Sequence, residues 1–161
     1  PDAHARAAPH GARGERVLRL TRLSFPHTPM GLSSPTIPAP ARYPDNLAFW
    51  EGTAQGVLRL RHCASCAQPH WYPRPQCPLC MGDAPDWKEA SGLGTIYSFS
   101  ICRRVGPVPF VIAYVRLDEG VTMLTNIVDC DPERLRIGDR VRVVMQTSDD
   151  GTTKVPMFTP A

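Results

Sequence analysis

Cys63-Ala64-Ser65-Cys66 and, ten residues further on, Cys77-Pro78-Leu79-Cys80 place four thiols inside eighteen residues. A Cys-x-x-Cys turn sets two thiolates on one side of an ion, and a second turn brought back by a short hairpin supplies two more. Zinc takes four such ligands at tetrahedral corners, about 2.3 Å from each sulfur. The spacing therefore predicts one structural zinc ion held by Cys63, Cys66, Cys77 and Cys80. Four protein ligands leave no open position for a catalytic water. His62 and His70 stand beside the knuckles, but four thiolates already complete the shell.

Disulfides are the rival reading. Six cysteines in 161 residues are too sparse for a disulfide scaffold. Residues 1–30 hold no continuous apolar core of signal-peptide length. A thioredoxin-like site would carry a single Cys-x-x-Cys near a βαβ pattern. A reducing compartment, the cytoplasm, is expected. Cys102 and Cys130 lack such a partner and read as small, partly buried side chains.

The net charge of +3 is unevenly placed. Residues 1–29 carry Arg6, Arg13, Arg16, Arg19 and Arg22 against Asp2 and Glu15, leaving thirteen charges of each sign over residues 30–161. A neutral body lacks the net charge that drives binding to a phosphate backbone. No apolar run is long enough to span a membrane.

Residues 1–41 read as a disordered tail, ending in the Pro-rich run 34–40. Met30 is the first methionine, so residues 1–29 are read as non-native or upstream sequence. Residues 42–58 suit a short helix capped by Asp45 or Asn46, with Leu47, Phe49, Trp50, Ala54 and Val57 on its apolar stripe. Gly52 and Gly56 weaken it. Residues 59–86 form the zinc ribbon, entered by a strand over 58–62, with Trp71 and Tyr72 covering the metal.

Residues 87–161 read as a barrel. Strands are expected at 94–101, 110–117, 121–128, 140–147 and 154–158, with a helical turn from Asp131-Pro132 between the third and fourth. In the first strand Thr95, Tyr97, Phe99 and Ile101 share a face, so Tyr97 and Phe99 are expected inside. Five strands with that turn match a Greek-key barrel of the OB type, a sandwich being the alternative. The expected fold is mainly β: a short helix, a rubredoxin-like zinc ribbon and a five-stranded OB barrel.

Several segments together carry a resemblance over about residues 42–160: Phe49-Trp50-Glu51-Gly52, Leu58-Arg59-Leu60-Arg61-His62-Cys63, Tyr72-Pro73-Arg74-Pro75, Gly92-x-Gly94-Thr95-Ile96-Tyr97, and Cys130-Asp131-Pro132 with Leu135-Arg136-Ile137-Gly138. The chain resembles the zinc-ribbon/OB-fold family once called domain of unknown function 35, whose members are associated with acyl-CoA and thiolases. The family commonly has Gly after the second Cys of each knuckle, where Ala67 and Met81 stand here. Gly82 is expected to take over in the second knuckle.

The resemblance implies a non-catalytic accessory subunit that binds a thiolase-superfamily enzyme and helps hold acyl-CoA. Two adjacent aromatics on a short helix, Phe49 and Trp50, read as packing onto a neighbour, with a partner-docking surface as the alternative. Arg61, Arg74, Arg103 and Arg104 are the candidate partners of CoA phosphates, with solvated surface arginines as the rival reading. No Ser or Cys has an identifiable His partner, so no nucleophile–base set is evident. The alternative is a nucleic-acid-binding zinc-ribbon/OB module. Its stacking platform would need exposed aromatics, which the expected burial of Tyr97 and Phe99 removes.

Overall fold

The computed structural model describes residues 36–82, 86–105 and 108–161. The expected identity of residues 1–29 lies outside them. Residues 36–41 of the expected tail are anchored: Ile37 N–H donates to Asp149 Oδ2 at 2.9 Å, and Asp149 N–H returns a bond to Ile37 O.

A 3-10 turn, Pro44–Asn46, leads into helix α1, Leu47–Ala54. Asn46 does not cap the helix with its side chain. Its Oδ1 accepts from Tyr43 N–H at 2.8 Å, and its Nδ2 donates to Tyr72 Oη at 2.8 Å. Gly56 ends the helix. Its φ of +84° allows Val57 N–H to reach Gly52 O and Gly56 N–H to reach Thr53 O, the Schellman pattern that favours glycine.

Eight residues are too few for a helix stable by itself; α1 persists by packing. Phe49 is 1% exposed and Trp50 8%, within the same core as Leu58, Leu60, Ile96 and Phe158. Burying side chains of this size stabilises by roughly 1.5–3 kcal/mol each. This burial agrees with the packing reading of Phe49 and Trp50 and leaves neither ring exposed for the docking alternative. Trp71 joins this packing with its centroid 4.8 Å from Phe49, and Tyr72 follows at 5.1 Å from Trp71. They tie the ribbon to α1, where a cover for the metal was expected.

Strands β1 (Arg59–His62), β2 (Pro69–His70) and β3 (Asp86–Glu89) make a small antiparallel sheet in the order β2-β1-β3. Strands β4 (Leu93–Cys102), β5 (Phe110–Leu117), β6 (Thr122–Ile127), β7 (Arg140–Thr147) and β8 (Lys154–Pro160) close a barrel in the order β4-β5-β6-β8-β7. Its pairs are antiparallel except β6 with β8, which meet in parallel at Ile127 and Phe158. The expected helical turn is a 3-10 turn over Pro132–Arg134, and Asp131 accepts from Glu133 N–H at its start. This is the mainly β, ribbon-plus-OB-barrel architecture expected.

One face was assigned wrongly. A β-bulge lies between Ile96 and Ser98. The extra residue resets the alternation, so Ile96 points inward at 1% exposure while Tyr97 points outward at 56%. Beyond the bulge, Phe99 and Ile101 pack against the core as expected.

Candidate metal centre

Strand β1 delivers Cys63, and the turn to β2 returns Gln68 O to accept from Cys63 N–H at 3.0 Å. The second knuckle repeats this bond with Cys77 N–H and Gly82 O, also at 3.0 Å. Among the described residues, the four Sγ atoms of Cys63, Cys66, Cys77 and Cys80 lie within 4.8 Å of one another. Cys63 and Cys80 are 3.5 Å apart, Cys66 and Cys77 3.8 Å. A tetrahedron with zinc–sulfur bonds near 2.3 Å has edges of about 3.8 Å. The donor set therefore fits one zinc ion.

Backbone amides aim at the sulfurs. Leu79 N–H donates to Cys77 Sγ at 3.4 Å. The Cys66 amide, then bonds from Cys80 and Ser65, draw the Cys63 thiol down to about 6 against the effect of burial. Gly82 N–H lowers Cys80, but the Cys63 and Cys66 sulfurs and desolvation outweigh it and push Cys80 up to about 12. Such a split is what four crowded thiols produce: one ionises readily and then opposes the next. A dication removes that opposition.

Both left-handed knuckle positions hold non-glycine residues, Ala67 at φ +56° and Met81 at φ +59°. Gly82 does not take over the left-handed position. Its role is space: a Cβ there would meet Ser65 Oγ at 2.9 Å. His70 is buried at 3% exposure. Desolvation lowers its pKa and Arg61 and Arg74 lower it further, against a Tyr72 backbone bond that raises it, so it stays neutral.

Of the candidate arginines, Arg61 and Arg74 both lie near His70, while Arg103 and Arg104 stand in the loop that follows β4. Arg61 lies over the Trp87 ring, 4.4 Å from its centroid. Arg74 is exposed beyond β2. Arg103 pairs with Glu133. Arg103 and Arg104 immediately precede Val105, which lines a cleft of about 520 Å³ at one end of the barrel. Phe110, Val111, Ile127, Cys130 and Met157 are further walls. These residues come from separate segments, so no local motif announced the cleft. Burial, then Asp131 and Asp129, push the Cys130 thiol up, which keeps it protonated and unreactive.

Two family descriptions match in tandem. Residues 50–86 match "ChsH2, rubredoxin-like zinc ribbon domain" and residues 87–146 match "ChsH2, C-terminal OB-fold domain". A probable enoyl-CoA hydratase alpha subunit of Thermomonospora curvata is 34% identical over 128 residues, 77% of this chain and 40% of the relative. The chain thus spans about two fifths of that protein's length. A DUF35 domain-containing scaffold protein of Methanothermobacter thermautotrophicus is 35% identical over 52% of this chain and 68% of the relative. In a solved structure described as the Ltp2-ChsH2(DUF35) aldolase, one chain is 32% identical with a TM-score of 0.67, covering 76% of this chain and 98% of that one. With its four-cysteine ribbon and closed five-stranded barrel in one chain, this protein belongs to the DUF35 family of zinc-ribbon/OB-fold proteins.

Proposed function

We propose that this chain is a non-catalytic scaffold subunit that binds a thiolase-superfamily enzyme and helps it hold acyl-CoA in lipid or CoA-thioester metabolism. The observation that carries this reading is the match over 98% of a DUF35 chain described together with Ltp2 as an aldolase. The relatives called hydratase subunits extend well beyond the matched part. Four thiolates close a tetrahedral shell, so the ion would fix the ribbon without activating water. The barrel-end cleft offers an apolar slot for an acyl chain, with Arg103 and Arg104 adjacent in sequence to its wall as partners for CoA phosphates.

We assign the chain to the cytoplasm, where its thiolates stay reduced. No helix among the described residues is long and apolar enough to cross a membrane.

The nucleic-acid alternative loses one objection, since Tyr97 is exposed. The other stands: residues 30–161 carry balanced charge. Co-purification from the native host with mass spectrometry is expected to yield a thiolase-superfamily partner. Recovery with a ribosome or an RNA polymerase instead would overturn the assignment. A salt titration against single-stranded nucleic acid adds a second check, in which tight binding with a steep salt slope favours the alternative.

A further inference from the structure

The four ligand thiols are not equally sheltered. Cys63 and Cys77 are buried, Cys66 is half-buried, and Cys80 is exposed. The second knuckle is open around it. Leu79 and Met81, on either side of Cys80, are themselves 63% and 67% exposed. Gly82 has no side chain to close over the sulfur; a Cβ there would stand 3.3 Å from Cys80 Sγ. A second ligand is near, with Cys63 Sγ 3.5 Å from Cys80 Sγ.

A cysteine reacts with an oxidant when it is ionised and accessible. A bound dication keeps all four ligand thiols deprotonated, so access decides among them. Outside the ribbon, Cys102 is half-buried, and Cys130, half-buried beside Asp129 and Asp131, is held protonated. An accessible thiolate with a second thiolate next to it is the arrangement of an oxidation site and its resolving cysteine.

We propose, independently of the scaffold reading, that Cys80 is the point at which a hydroperoxide oxidises the ribbon, that Cys63 resolves it, and that the oxidised ribbon releases its zinc. The Cys80 thiolate sulfur attacks one peroxide oxygen. The O–O bond breaks, the sulfur is oxidised by two electrons to a sulfenic acid, and the other oxygen departs as hydroxide or alkoxide. The Cys63 thiolate then attacks that sulfur; the S–S bond forms, the S–O bond breaks, and hydroxide leaves. Two protons from solvent convert the departing oxyanions to water or alcohol. Cys66 and Cys77 are left as two ligands, half of a tetrahedral donor set. A dithiol reductant reverses the change by thiol–disulfide exchange, becoming a disulfide itself.

The test uses the full-length, zinc-loaded chain and equimolar hydrogen peroxide. Zinc release is read with a chromogenic chelator, thiols are counted, and cross-links are mapped by mass spectrometry. Release of the zinc is expected to accompany loss of two of the six thiols, with Cys63–Cys80 as the mapped cross-link. A 1,3-dione that traps sulfenic acids is expected to label Cys80, and a dithiol reductant with added zinc to restore the loaded chain. The double variant Cys102→Ser, Cys130→Ser keeps all four ligands and is expected to lose zinc at the wild-type rate. So is Met81→Leu, which removes an exposed thioether that peroxide also attacks. Sulfenic acid trapped at Cys63, Cys66 or Cys77, or a cross-link within one knuckle, would overturn the assignment. Zinc loss that disappears in either variant would place the entry of the oxidant elsewhere and overturn it too, as would zinc retained on four intact thiols while Cys102 and Cys130 are oxidised.

Discussion

The ribbon and the barrel solve the same problem of small size in different ways. The barrel closes its own hydrogen-bond ladder and fills its interior with Ile96, Val111, Val115, Val141 and Phe158, each at most 1% exposed. The ribbon has one two-residue strand and two strands of four. Prominent among its fully buried side chains are Cys63 and Cys77, ligands themselves. Metal coordination thus stands where a hydrophobic core would be. Its apolar links run through Leu60 of β1, buried in the core shared with the barrel, and through Trp71 onto Phe49.

The largest expected effect follows from removing the metal. Structural zinc contributes on the order of 10–16 kcal/mol in isolated finger peptides. Chelation, or Cys63→Ser, is expected to abolish binding of one zinc per chain and to release the amides of residues 59–82 to hydrogen exchange. The amides of β4 to β8 are expected to keep their protection. Simultaneous loss in both regions would break the contrast, showing that the Leu60 and Phe49–Trp71 contacts make ribbon and barrel one cooperative unit.

A smaller effect probes strain in the knuckles. Left-handed backbone costs an L-residue roughly 1–2 kcal/mol, and glycine's extra freedom in the unfolded chain offsets part of that relief. Ala67→Gly and Met81→Gly are therefore expected to tighten zinc retention by about 0.5–1 kcal/mol each, read as roughly a twofold to fivefold gain in competition with a chelator. The barrel side offers the comparison, since Asp129 is also left-handed at φ +52°. Aspartate tolerates that region through local hydrogen bonding, so Asp129→Gly is expected to change stability less. Equal gains at all three positions would mean that the knuckles hold no particular strain.

What was legible in the sequence follows the range of the signal. The metal ligands were legible because Cys-x-x-Cys is local and the ion fixes the geometry. The barrel strands and the turn at Asp131-Pro132 were legible from alternation and capping chemistry. The outward face of β4 was not, because a bulge resets a period-2 pattern and leaves no mark in composition. For Phe49 and Trp50 the packing reading was legible, but docking stayed open as the alternative because an eight-residue helix does not reveal which side meets a barrel some fifty to a hundred residues later. The cleft was hidden for the same reason, being assembled from separate segments.

The smallest effect belongs to the barrel's surface, where no metal chemistry intervenes. Arg140 forks onto Asp118, Nη1 to Oδ1 at 2.7 Å and Nη2 to Oδ2 at 2.8 Å. The arginine's hydrogen bonds hold the Asp118 carboxyl below its ordinary value, which is near 3.9 in an unfolded chain. A carboxylate depressed in the folded state contributes stability that is present above the unfolded pKa and lost as pH falls through the folded one. Both partners are about half exposed, so solvent and salt screen the pair. Asp118→Asn is therefore expected to lower Tm slightly at pH 7. The gap from wild type should close as pH drops below about 4 and shrink in 1 M salt. The wild-type-minus-variant difference matters because acid also protonates the ribbon thiolates and expels zinc, an effect both proteins share. A gap at pH 3 undiminished from its pH 7 size would mean that Asp118 acts through the β5–β6 turn geometry and not through its charge.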